Sequence, residues 1–152
     1  VCAADVMSKG IATVGPEDTM HHAFNMMKRI QRKGIPVVDT DGSLMGMLKF
    51  RDVAKAGKTG KSQQLVKAWM RRQVGHSFLI LRGPRALTRC LLLQVPTVSP
   101  GMPFNELEEF LIERSIGRVP VVDEQGRMLG LITRTDVLRQ HNLYNEINRR
   151  VN

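Results

Sequence analysis

Apolar residues recur along this chain with two alternating periods. Met20, Ala23, Phe24, Met27 and Ile30 stand three and four apart, the spacing that places them on one face of a helix. Ile35-Pro36-Val37-Val38 and Leu44-Met45-Gly46-Met47-Leu48 follow as short apolar runs joined by Asp39-Thr40-Asp41-Gly42. Asp-Gly signals a hairpin, because the turn needs a positive φ that Gly adopts without steric cost. A short strand at Thr13-Val14, ended by Pro16, precedes the helix, and a second helical stretch opens at Asp52. A carboxylate in N-cap position there would satisfy free backbone N–H groups and complement the helix dipole. The unit reads β-α-β-β-α.

The same unit occurs twice. A shift of 84 residues lays Thr13-Val14-x-Pro16 on Thr97-Val98-x-Pro100 and Pro36-Val37-Val38-Asp39 on Pro120-Val121-Val122-Asp123. Gly42, Gly46 and Asp52-Val53 fall on Gly126, Gly130 and Asp136-Val137, and Phe104, Leu107, Phe110 and Leu111 keep the apolar face, with Pro103 suited to a first helical turn. Upstream of each copy the offset is 63 instead, pairing Met7 with Met70 and Lys9 with Arg72. The second copy therefore carries 21 surplus residues, about Val74 to Gln94. The expected division is repeat 1 over 1–56, a basic linker and leading helix of repeat 2 over 57–73, an atypical insertion over 74–94, and repeat 2 over 95–152. A single copy of roughly 60 residues would bury only about 60% of its unfolded surface, so the copies are expected to dock.

The insertion is apolar and arginine-rich, with no Asp, Glu or Lys. Its ends fit an in-frame retained intron, since Val codons begin GT and one Gln codon is CAG. Removing it would restore Gln73-Val95-Pro96-Thr97, as the first copy predicts, and would imply a eukaryotic source. A genuine insertion, a partner-binding loop or a short helix lying on the surface, is the other reading.

Composition narrows the class. The 152 residues are 42% hydrophobic and 24% charged, ordinary for a globular protein. Cys2 and Cys90 give no disulfide framework, so an intracellular, cytoplasmic setting is expected, with a plastid or mitochondrion open if the source is eukaryotic. No apolar run approaches the ~20 residues of a membrane span. The first residue is Val, so the chain reads as a piece of something longer. The net charge of +9 is concentrated early: residues 1–73 hold 13 Lys/Arg against 6 acids, and residues 95–152 hold 7 against 8. Such a basic half steers anionic ligands, nucleotide or RNA.

Two copies of [Gly/Arg]-[Ile/Val]-Pro-Val-Val-Asp, hairpin, and Gly-x-x-x-x-x-Asp-Val resemble the CBS domain, named for cystathionine β-synthase, and the tandem resembles a Bateman module. The resemblance implies an α/β fold of two β-α-β-β-α repeats docked pseudo-symmetrically. Val66-Lys67-Ala68-Trp69-Met70, Ser115-Ile116-Gly117-Arg118-Val119-Pro120 and Thr133-Arg134-Thr135-Asp136-Val137-Leu138-Arg139-Gln140-His141 look like the CBS pairs of CCA- or A-adding tRNA nucleotidyltransferases.

A regulatory site for AMP, ADP or ATP in the cleft between the copies is what the family implies. In the family, Gly-x-x-[Thr/Ser]-x-x-Asp closes such a site, the Asp receiving the ribose hydroxyls. Gly130 to Asp136 matches completely, through Thr133, whereas Gly46 to Asp52 has Lys49 in place of Thr. Thr13 and Thr97 would begin the strands flanking the base. Ile35-Pro36 and Val119-Pro120 would supply backbone groups and an apolar wall to adenine. Arg51 and Arg134 suit phosphate, for which a guanidinium presents a fork of donors. Both Asp residues are equally placed to act only as helix caps.

Three other signals carry less. Ala54 to Ser62 sounds like a P-loop, but Lys55 and Asp52 stand where that motif requires Gly, so a flexible basic loop is expected. Asp39-x-Asp41 has the spacing of metal carboxylates, yet it sits on a turn, and Gln125 replaces Asp41 in the other copy. His21-His22 has no third ligand nearby, so no metal is expected. The reading is a non-catalytic module acting on an attached or associated catalytic domain. The alternatives are contact with tRNA through the basic half, and a scaffold that forms a homodimer through its apolar helix faces.

Overall fold

The structure, a computed structural model, describes residues 1–72 and 96–151. The insertion, residues 74–94, lies outside the described residues. Contacts divide the chain into two compact units, Ala12–Pro96 and Val1–Ile11 with Thr97–Asn152. They are called here the first-copy and second-copy units.

In the first-copy unit, the strand expected at Thr13-Val14 is a single parallel bridge between Val14 and Val37. Val14 N–H donates to the Pro36 carbonyl at 3.1 Å, and Val38 N–H donates back to the Val14 carbonyl at 2.9 Å. Pro16 and the turn at Gly15–Asp18 end the pairing at once. Helix α2, after the one-turn α1 (Ala3–Val6), spans Met20–Ile30, and Thr19 caps it by accepting His22 N–H at 3.2 Å. Strands β1 (Gly34–Val38) and β2 (Leu44–Lys49) pair antiparallel, Ile35 opposite Leu48 and Pro36 opposite Met47. The hairpin follows its turn chemistry: Gly42 has φ +89°, and the Asp39 carboxylate accepts the N–H groups of Asp41 and Ser43, each at 3.1 Å.

Helix α3 (Phe50–Lys58) takes in the stretch expected as a flexible loop: Ala54 to Lys58 are its last turns. It stops because Gly60 adopts φ +72°, which lets Lys61 N–H reach back to the Ala56 carbonyl at 2.8 Å. The leading helix expected in residues 57–73 is a 3₁₀ turn, Val66–Ala68, followed by β3 (Arg71–Arg72) on the free edge of β2. Met20, Met27, Ile35, Val37, Leu48, Val53 and Val66 form the core, fully buried. Burial of each such side chain contributes about 1.5–3 kcal/mol.

The second-copy unit repeats this plan with α4 (Phe104–Glu113), β4 (Arg118–Val122), β5 (Met128–Thr133) and α5 (Arg134–Val151). Pro103 is the residue before α4 rather than part of its first turn. Leu107 and Leu111 are buried, and Phe104 and Phe110 pack at the core's edge. Gly126, at φ +81°, turns the hairpin while Asp123 accepts from Gln125 and Arg127, both at 2.9 Å. Helix α5 runs twice the length of α3. Gly57 and Gly60 of the first copy correspond to His141 and Tyr144, so the stop is missing.

The two offsets acquire a physical meaning here. The segment before each copy packs within the unit of the other copy. Ala3 lies fully buried in the second-copy core, and α1 anchors there through Ala3 N–H to Met102 O (2.9 Å) and Ala4 N–H to Pro100 O (3.0 Å). The matching residues, Val66 and Lys67, make the same bonds to Asp18 O (2.8 Å) and Pro16 O (3.0 Å) in the first-copy unit. Ser8 completes the leader by exchanging two backbone bonds with Leu131, at 2.9 and 3.1 Å.

Candidate functional site

The Gly130-to-Asp136 motif is built from the end of β5 and the start of α5. Asp136 is the third residue of α5, not its N-cap as the sequence suggested; Thr133 holds the residue before the helix. The two close a reciprocal cap. Asp136 Oδ2 accepts Thr133 N–H at 2.9 Å and the Thr133 hydroxyl at 3.0 Å, while Asp136 N–H points to Thr133 Oγ1 at 3.4 Å. The Asp136 side chain is only 11% exposed, and its other oxygen, Oδ1, stands 4.0 Å from the Arg139 guanidinium. One carboxylate oxygen is thus spoken for by the fold and the other faces a loosely held cation. Arg139 was not singled out in the sequence, though its i+3 spacing from Asp136 is a recognised pairing distance on a helix.

Arg134 is exposed and already tied at one nitrogen: its Nε donates to the Ile116 carbonyl at 3.2 Å, and its N–H to Gly117 O at 3.1 Å. Its remaining guanidinium nitrogens are the ones left to meet an anion. Val119 is fully buried among the second-copy core residues, so its side chain belongs to packing. Pro120 alternates to the opposite face of the strand, and its carbonyl accepts Val98 N–H at 3.1 Å. Thr97 is half-buried beside that bridge.

The first-copy counterparts differ where the motif differs. Lys49 stands at the position of Thr133, and no side-chain hydrogen bond caps α3. Asp52 is again the third helical residue, half-buried, and Arg51 beside it is exposed. Ile35 is fully buried in the core, Pro36 gives its carbonyl to Val14, and Thr13 is half-buried. The reciprocal cap exists in the second copy only.

Neither His21 nor His22 gathers ligands: His21 Nε2 meets Asn25 Nδ2 at 3.2 Å, and His22 stands 4.0 Å from Asp18. Among the described residues no three His, Cys, Asp or Glu side chains converge as metal ligands, and no helix is long and apolar enough to cross a membrane.

Two copies of one small α/β unit, each a two- or three-stranded antiparallel sheet with helices, define a tandem-repeat fold. The sequence profile of the CBS domain matches residues 3–58 and 88–141, and the chain belongs to the CBS domain family as a tandem pair. Its curated relatives include an inosine-5'-monophosphate dehydrogenase of Methanocaldococcus jannaschii, 30% identical over 91% of this chain. The chain spans 23% of that relative's length. A CBS domain-containing protein of Dictyostelium discoideum is 25% identical over 91% of this chain and 89% of its own length. Among solved structures, CBSX2 in complex with AMP superposes with a TM-score of 0.74 at 18% identity, covering 95% of this chain and 98% of that one.

Proposed function

We propose that this chain is a regulatory, non-catalytic module that binds an adenine nucleotide (AMP, ADP or ATP) at the Thr133/Asp136 motif and biases a catalytic domain joined to it. The observation that carries this reading is the half-finished state of Asp136. The fold fixes one carboxylate oxygen and leaves the other, in a nearly buried setting, to accept a pair of hydroxyl donors such as those of ribose. Thr97, the Val119-Pro120 backbone and Arg134 supply neighbouring groups for base and phosphate. Thr13, Ile35, Pro36, Arg51 and Asp52 would form a weaker second site, because Lys49 replaces the capping threonine. The AMP bound by CBSX2, a structure of the same fold, supports the ligand class.

Regulation follows only if the ligand prefers one arrangement of the protein over another. For the catalytic partner, the dehydrogenase relative favours an enzyme of that kind. The tRNA nucleotidyltransferase reading stands on the three sequence segments quoted above. Nucleotide present at ~100 times Kd should raise stability by about 2.7 kcal/mol. Asp136→Ala should abolish that gain and Asp52→Ala should leave most of it. Absence of any thermal shift with AMP, ADP and ATP, in protein shown to be folded, overturns the proposal.

Contact with tRNA is a second reading, favoured by the exposed cations Lys28, Arg29, Lys33, Lys55, Lys61 and Arg71 of the first-copy unit. Its mark is affinity that falls steeply with salt as counterions are released. Homodimerisation through helix faces has its support in α5, whose Leu143, Tyr144, Ile147 and Val151 are exposed along one stripe. Sedimentation with and without nucleotide separates it from ligand binding.

A further inference from the structure

Asp136 brings a difficulty to its site along with a hydrogen-bond acceptor. Its carboxylate, 11% exposed, holds a negative charge where an adenosine phosphate would bring about two more. Charges so enclosed are screened much less than those in open water. The reciprocal cap does not relieve the repulsion, because the Thr133 N–H and hydroxyl are neutral donors. An uncharged adenosine derivative would meet no such obstacle.

The group that can offset the charge is Arg139. It stands one helical turn beyond Asp136, with Nη1 4.0 Å from Oδ1. Its side chain is 70% exposed, so the contact is loose and leaves Oδ1 open to the direct hydrogen bond of a ligand hydroxyl. Arg134, the other cation of the motif, is tethered by its Nε to the Ile116 carbonyl at 3.2 Å. The first copy keeps a cation at the same spacing, with Lys55 three residues after Asp52.

Two classes of ligand feel this guanidinium differently. The ribose diol is uncharged, and a cation beside the carboxylate leaves its bonds to Oδ1 nearly as they were. A phosphate feels the full charge at a distance. Given adenine-nucleotide binding at this motif, on which the assignment rests, we infer that Arg139 is a specificity-determining residue. By offsetting Asp136 it makes the site take adenosine phosphates in preference to uncharged adenosine derivatives. Arg139 acts here through the charge of Asp136 and needs no direct bond to the ligand.

Calorimetric titration of the chain with AMP and with adenosine tests this, the ratio of the two affinities being the readout. Removing one unit charge about 8 Å from a doubly charged phosphate weakens binding about fivefold in water of low ionic strength. Arg139→Gln should therefore lower the affinity for AMP relative to adenosine by about fivefold, and Arg139→Glu, a change of two charges, by about 25-fold. Arg139→Lys should keep the wild-type ratio, and the differences should shrink at physiological salt. Circular dichroism checks that each variant is folded, and adenosine serves as the internal control for the shape of the site. The inference is overturned if the ratio is unchanged in Arg139→Gln and Arg139→Glu while both ligands bind. It is also overturned if both affinities fall together, since Arg139 would then only support the helix. If neither ligand binds the wild-type chain, the nucleotide reading itself fails and the role of Arg139 with it.

Discussion

Gly130→Ala puts the docking of the leader to a quantitative test. A Cβ at Gly130 would stand 2.7 Å from Met7 Sδ and 2.8 Å from the Ser8 carbonyl oxygen. The methionine tip can swing aside, but the Ser8 carbonyl is backbone, fixed by its bonds to Leu131. Forcing a methyl group into such a contact costs about 1–3 kcal/mol. Complete release of the leader would sacrifice two backbone hydrogen bonds at about 1 kcal/mol each, together with the burial of Met7. Against this, alanine in a strand gains roughly 0.5–1 kcal/mol over glycine. The net expectation is a loss of about 1 kcal/mol, and at most about 2.5 kcal/mol, read as a lower urea midpoint with an unchanged slope. Amide exchange at Ser8 should accelerate with it, and Met7→Ala should recover part of the loss. A midpoint raised by Gly130→Ala would refute the packing of residues 7–8 over β5, because only the intrinsic gain would then remain.

Two further outcomes follow from local geometry. Thr133→Val removes the hydroxyl half of the reciprocal cap and should cost about 1 kcal/mol of stability, measured by chemical denaturation. Asp5 is held below its ordinary pKa of 3.8, first by the Cys2 N–H (2.9 Å) and then by the Cys2 thiol (3.2 Å). Its folded pKa lies below the unfolded one, so its contribution to anchoring α1 is complete above about pH 4 and fades as pH falls through the lower value. Protection of the α1 amides, taken relative to their intrinsic exchange rates, should therefore fall at acid pH in the native chain and lose that extra pH dependence in Asp5→Asn.

What the chain reveals before folding is what its local chemistry decides. Asp39 with Gly42, and Asp123 with Gly126, define their hairpins within five residues, and both turns form with the same hydrogen bonds. The α2 face and the alternation through Ile35 and Val37 mark core positions directly. Thr13-Val14 reads as a strand, but a neighbour can pair with it at one residue only before Pro16 intervenes. Asp136 was legible as a capping residue; its place, three residues inside α5 with Thr133 as partner, depends on where the helix begins. The partner of each leader was not legible at all. Offsets of 63 and 84 record that Met7 resembles Met70, and no local preference says which sheet either will meet.

The exchange of leaders has a consequence for how this protein can come apart. The first 58 residues contain the body of one copy but the leader of the other, so a cut between Lys58 and Val66 leaves neither fragment with all the pieces of a single core. Held on one polypeptide, the missing piece is supplied from within, at an effective concentration on the order of millimolar for a short flexible connection. Severed there, the same pieces must find each other in solution, and assembly becomes second order in protein. The repeat is thus a reciprocal domain swap made permanent by its own covalent link. Dilution, which leaves the intact chain untouched, would unfold its separated halves.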